Sequence, residues 1–261
     1  MPVPASTQQH TALRLLHYWW PPVLGWSLAM IVARTHGRTA DPQGLLALVA
    51  GILAAYSLDR AVDRTQHNPG DRLHALLLVT GSLATITCGA AALQLPTSSA
   101  MIVPLLGIVA GLYPRLKRRL LTKLVLLPAV WLTAIVALPF PDGSWSAWRT
   151  LLHPVGAPIF LLVGAGCLLC DLKDADADQR TGVRSLPALF GATATARIAA
   201  STALAGAALA LGLGETELAV GGILLVAAAT RPDLVAVEPS GPLLVDVLLS
   251  VPGFLVVCGE L

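Results

Sequence analysis

Residues 73–114 read LHALLLVTGSLATITCGAAALQLPTSSAMIVPLLGIVAGLYP, 42 positions without a single Asp, Glu, Lys or Arg. A helix needs roughly 20 apolar residues to cross the hydrocarbon of a bilayer. This run is therefore too long for one crossing and long enough for two, with Pro96, Thr97, Ser98 and Ser99 supplying the turn between them. Further charge-free runs occupy 15–33, 42–58, 124–141 and 150–170. Across the whole chain of 261 residues, 55% are apolar and only 12% charged, with a mean hydropathy of +0.73. A soluble domain carries about 25% charged residues, so lipid is the main solvent here. The net charge is only +2, so bulk charge says nothing about nucleic acid, and none is expected as a partner. The first apolar run lacks a small-residue cleavage site and is followed by more spans, so it reads as a membrane helix and not as a signal peptide.

The pattern predicts an all-α polytopic membrane protein. Nine helices are expected near 15–34, 42–58, 73–94, 98–114, 121–141, 150–170, 192–213, 216–231 and 241–258. The eighth has a charge-free core of only 13 residues and needs Glu217 and Arg231 to snorkel. With the N-terminus in the cytoplasm, 14 of the 17 Lys and Arg fall on the cytoplasmic side, as the positive-inside rule requires. Tyr18, Trp19, Trp20, Trp145 and Trp148 read as interfacial belt residues. Cys88, Cys167, Cys170 and Cys258 all lie in apolar segments and read as small apolar side chains.

The acids are not spread evenly. Seven of the fifteen lie in two cytoplasmic connections. In the first, Asp59 and Asp63 are four apart, about 40° from one another on one helical face. The neighbouring Arg60 and Arg64 point elsewhere on an ideal helix and do not simply cancel that repulsion. In the second, Asp171, Asp174 and Asp178 fall within about 60° of each other, with Asp176 on the other side. Carboxylates grouped this way suit Mg²⁺, which takes few protein oxygens and completes its shell with phosphates and waters. The competing explanation for each cluster taken alone is a solvated acidic face.

These loops resemble the two signature motifs of the UbiA-type prenyltransferase superfamily. Asp59 and Asp63 match the two aspartates of its first motif, with His67, Asn68, Pro69 and Arg72 as the basic continuation. Asp171-x-x-Asp174-x-x-x-Asp178-x-x-x-Gly182-x-x-Ser185-Leu186-Pro187 follows its second motif. The run from Tyr113 through Lys117 and Arg118 to Lys123 resembles its basic loop. One departure stands out: Ala55 replaces the asparagine of the first motif. The resemblance implies a single domain over 1–261, with nine spans around a central cavity and a site facing the cytoplasm. Its implied chemistry is Mg²⁺-assisted ionisation of a prenyl diphosphate, with transfer to an aromatic or lipid acceptor. Metal would be held by Asp59, Asp63, Asp171, Asp174 and Asp178, and diphosphate by Lys117, Arg118, Lys123 and Arg72. Tyr56, Tyr113, Trp131 and Phe160 are the expected lining of the prenyl chamber. A terpene cyclase of the same superfamily, which needs no acceptor, is the alternative. A non-catalytic membrane carrier ranks third, since Asp246 is the one clear ionisable residue deep in a span.

Overall fold

The computed structural model describes residues 5–65, 72–116, 122–140 and 154–259, without the side chains of 5–11, 114, 122 and 123. Every described element is helical. In chain order they are α1 (Ala5–Trp19), α2 (Pro21–Thr35), α3 (Pro42–Thr65), α4 (Arg72–Ala92), α5 (Thr97–Ala100), α6 (Ile102–Leu116), α7 (Leu127–Ala137) and α8 (Gly156–Cys170). They continue as α9 (Ala175–Thr181), α10 (Leu186–Phe190), α11 (Ala192–Gly212), α12 (Thr216–Ala229), α13 (Pro232–Val235) and α14 (Ser240–Gly259). A π-helical turn over Thr122–Leu126 leads into α7, and a 3₁₀ turn over Asp171–Asp174 follows α8.

Helix lies at each of the nine predicted stretches, but not always of spanning length. Among the described residues five segments are long and apolar enough to cross a membrane: α3, α4, Gly156–Thr181, α11 and α14. Thr97–Tyr113, Leu124–Ala137 and α12 are apolar but shorter. The first predicted span is broken: α1 ends at Trp19, and Pro21 and Pro22 open α2. Proline lacks the amide hydrogen that a continuous helix would use, yet fits the first turn of a new one.

Six helices close a ring. Going round it, α2 packs on α3, α3 on α6, α6 on α7, α7 on α8, α8 on α14 and α14 back on α2. Outside the ring, α4 lies along α3, while α11 and α12 lie against α8 and each other. The outer faces carry large apolar side chains with nothing of the protein over them, among them Leu83, Ile86, Leu93, Ile108 and Leu204. Only a lipid solvent tolerates such a surface.

Backbones in lipid approach by using small residues, because apolar burial alone does not distinguish a neighbouring helix from a lipid tail. A Cβ on Gly253 would collide with the side chain and backbone of Ser27, one on Gly44 with the backbone of Leu138, and one on Gly166 with Leu249. These three fix α14 on α2, α3 on the end of α7, and α8 on α14. Pro252 interrupts the hydrogen-bond ladder inside α14. Beside it, Ser27 Oγ donates to Ser250 O at 2.6 Å and accepts from Gly253 N at 3.1 Å. A hydroxyl from the neighbouring helix thus engages the interrupted backbone, as a membrane interior requires.

The end of the bundle opposite the acidic motifs is tied by ions. Arg34 donates to Glu215 at 3.0 Å and to Glu217, and Thr35 Oγ1 donates to Glu215 at 2.8 Å. Glu217 therefore does not simply snorkel; it anchors the short α12 to α2. Arg231, at the other end of α12, is exposed and pairs with Asp233 at 3.1 Å.

Gly253→Val is expected to lower stability by about 1–3 kcal/mol through overpacking against Ser27. Gly89→Val, where nothing lies within 4 Å, serves as the control. Thermal unfolding of both variants in one detergent checks this, and equal melting temperatures would contradict the close α2–α14 approach.

Candidate functional site at the acidic end of the helix ring

The first motif is carried by the last two turns of α3, which runs on past the predicted end at residue 58 to Thr65. Asp59 and Asp63 sit one turn apart along it and are both half-buried. The second motif begins where α8 ends. Its 3₁₀ turn eclipses residues three apart, so Asp171 and Asp174 lie one above the other, and α9 then brings Asp178 round one turn later. Asp171, Asp174 and Asp178 are half-buried, whereas Asp176 is exposed. The separation of Asp176 from the other three, expected from helical spacing, holds although the helix type differs.

The rest of the second motif is structural. Gly182 closes α9 in the left-handed conformation with φ of 71°, which costs a residue with a Cβ about 1–2 kcal/mol. Ser185 Oγ then accepts from Ala188 N as the N-cap of α10, Leu186 is buried, and Pro187 occupies the first turn. Gly-x-x-Ser-Leu-Pro is therefore a helix stop followed by a helix start, and it returns the chain to the bundle beneath the aspartates.

Arg60 ties the two motifs together. Its guanidinium lies 5.7 Å over the Tyr18 ring and its Nη1 is 3.9 Å from Asp63 Oδ2. It also lies within electrostatic reach of Asp59 and, across the site, of Asp174. This corrects the reading that Arg60 points away from the acids: its side chain folds back along α3 and supplies a cation among them. Lys173, whose side chain is only 6% exposed, places Nζ 2.9 Å from Asp174 Oδ1. His17 is buried beside Arg60, Lys173 and Asp174, with no hydrogen-bond partner for either ring nitrogen among the described residues. Tyr18 is buried too, and Trp20 donates Nε1 to Ser250 Oγ at 3.1 Å. Neither is a belt residue; the break between α1 and α2 turns them into the bundle. Trp19 does remain exposed.

Beneath the aspartates, five walls of the ring contribute side chains. Tyr56 of α3 meets Trp131 of α7 edge-on, ring centroids 6.3 Å apart. Tyr56 also lies within electrostatic reach of Tyr113 of α6, Cys167 and Cys170 of α8, and Asp246 of α14. Tyr113 in turn senses Asp59 and Asp171. The side chains so grouped come from the same end of the ring as both motifs.

The family model for the UbiA prenyltransferase family matches residues 45–232. The chain belongs to the UbiA prenyltransferase family. With its five span-length apolar helices, it is an integral membrane protein. Among solved structures, the apo form of a UbiA homolog from Aeropyrum pernix K1 shares 18% identity at a TM-score of 0.71, over 92% of this chain and 98% of that one. A UbiA homolog from Archaeoglobus fulgidus bound to GPP and Mg²⁺ shares 17% identity at a TM-score of 0.58, over 94% of this chain and 99% of the other. The Archaeoglobus homolog bound to DMAPP and Mg²⁺ gives 17% and 0.57 over the same shares. At these identities the likeness concerns the fold. No curated protein matches the chain.

Set against the UbiA motifs, the structure gathers most of the expected residues but not all. Phe160 is half-buried against the main core, and no described contact links it to the Tyr56 group. Arg72 is exposed at the first residue of α4. Lys123 begins the π-helical turn, its side chain outside the described residues. Lys117, Arg118, His67, Asn68, Trp145 and Trp148 also lie outside them. Ala55 sits one turn inward of Asp59, at the depth of Tyr56. Among the described residues no three His, Cys, Asp or Glu side chains converge on one point. Among the described residues the acidic end thus offers carboxylates from two walls.

Removing Arg60 takes one cation from among those carboxylates. Arg60→Ala is expected to lose about 1–2 kcal/mol, between the values of exposed and buried pairs. Raising salt to about 0.5 M should narrow the deficit, because screening shortens the reach of the repulsion. Melting temperatures at two ionic strengths test this, and a salt-independent deficit would contradict it.

Proposed function

We propose that this UbiA-family protein ionises a prenyl diphosphate at the acidic end of the ring and transfers the prenyl group to a hydrophobic acceptor. We read it as a single domain over residues 1–261 with this end towards the cytoplasm. The observation that supports the reading is that Arg60 lies within electrostatic reach of Asp59 and Asp63 on α3 and of Asp174 in the second motif, at one end of a ring of apolar helices. A prenyl diphosphate has a matching shape, an anionic head on an apolar tail.

The donor set fits Mg²⁺. Hard carboxylate oxygens from two walls suit an ion that takes one or two carboxylates and keeps waters and substrate phosphates in its shell. Asp59, Asp63, Asp171, Asp174 and Asp178 would hold it, and once bound it supplies neutralisation of the charge that develops on the departing diphosphate. Lys117, Arg118, Lys123 and Arg72 are assigned to the phosphate oxygens by direct charge-assisted contacts. Tyr56, Tyr113 and Trp131 are assigned to the prenyl chain, and an allylic cation is attracted to aromatic faces. The surrounding apolar helices exclude the water that would quench it. Phe160 is the more distant candidate for the tail.

Asp59→Ala and Asp174→Ala are each expected to reduce Mg²⁺-dependent pyrophosphate release from geranyl diphosphate by about 10²-fold or more, while exposed Asp176→Ala stays within about threefold of the parent protein. Unchanged turnover in the first two would remove the metal assignment. Lys117→Ala is expected to weaken diphosphate binding by about tenfold, the loss of one charge-assisted contact, and to leave the preference for tail length unaltered. Incubation with prenyl diphosphates of several lengths, with and without acceptors, discriminates the reactions. A cyclic hydrocarbon formed without acceptor would replace transfer by cyclisation.

A further inference from the structure

Asp246 has no part in either motif. It is the seventh residue of α14, so it lies about 9 Å along the helix from its start. Among the described residues its carboxylate forms no hydrogen bond and no ion pair. Its side chain is half-buried in the bundle. Among the described residues, Tyr56 of α3, Cys170 of α8 and Arg60 lie within its electrostatic reach, and Ser250 Oγ donates to its backbone oxygen at 2.7 Å.

Those neighbours give its position. Tyr56 lies three residues inward of Asp59 on α3, and Cys170 immediately precedes Asp171. Asp246 is therefore placed near the motif aspartates, on the side of Tyr56 and Cys170. If the diphosphate is held at those aspartates, C1, the carbon bonded to it, falls in the same neighbourhood. An unpaired carboxylate in such a place is costly to the fold, and none of its neighbours among the described residues supplies the proton or hydrogen bond that would relieve it.

We propose that Asp246 is a catalytic base that receives the proton of a hydroxyl-bearing acceptor, a phenol or a lipid alcohol. The proposal rests on the prenyl-transfer reading above. The acceptor O–H donates to the carboxylate. As the C1–O bond breaks, both its electrons leave with the diphosphate. The acceptor's electron pair forms the new bond to C1, and the hydroxyl proton passes to Asp246, which releases it to water when the product leaves. The carboxylate also favours the cationic carbon beside it.

The test measures where cleaved prenyl groups go. The full-length protein in detergent is given geranyl diphosphate, Mg²⁺ and a set of hydroxyl probes (2-naphthol, a hydroquinone and a diacylglycerol), each with its methyl ether. In the parent protein transfer is expected to at least one hydroxyl probe and to be lost with the corresponding ether. In Asp246→Asn the ratio of acceptor adduct to geraniol is expected to fall by at least about tenfold, the low end of a general base's contribution. Asp246→Glu, which keeps a base, should recover most of that ratio. An unchanged ratio in Asp246→Asn overturns the proposal. So does equal transfer to hydroxyl probes and ethers by the parent protein, a comparison that needs no variant to fold. Pyrophosphate release with no transfer to any hydroxyl probe overturns the assignment of Asp246 alone. Absence of pyrophosphate release by the parent protein from any prenyl diphosphate overturns the prenyl-transfer reading itself.

Discussion

Negative charge held at the edge of a low-dielectric interior is the constraint around which this protein is arranged. Five half-buried aspartates stand at one end of a ring of apolar helices. Carboxylates there repel each other more strongly than they would in water, because the surrounding helices and lipid screen poorly. Arg60 and Lys173 offset part of that repulsion from within the bundle. The buried Tyr18 ring under Arg60 and the buried His17 show how α1 contributes to the same corner.

Holding such a site requires that the helices carrying it cannot drift apart, and the means differ along the bundle. In its middle, glycines at α2–α14, α3–α7 and α8–α14 allow backbones to touch. There dispersion and hydroxyl bonds such as Ser27 to Ser250 replace the apolar driving force that water would provide. At the end away from the aspartates, Arg34 binds Glu215 and Glu217, so α12 is secured by ions where it is too short to be secured by length. Both devices pair polar groups within the bundle, where lipid offers them no partner.

The membrane character, the helix positions and the two acidic motifs are legible in the sequence. They depend on local composition and on spacing along one helix. Asp176 shows how far that goes: helical spacing separates it from Asp171, Asp174 and Asp178, and it is exposed where they are not. Gly182, Ser185 and Pro187 carry equally local meaning as a stop, a cap and a start.

What the sequence does not contain is which side chains meet from distant segments. Arg60 looked misdirected because a wheel projection places the Cα and ignores a long side chain that bends over Tyr18. Tyr18 and Trp20 looked interfacial because the break at Pro21 that turns them inward is a matter of packing. The gathering of Tyr56, Tyr113, Trp131, Cys170 and Asp246 from five helices is also a tertiary fact. Periodicity tells each helix which residues share a face; only closure of the ring decides what those faces look at.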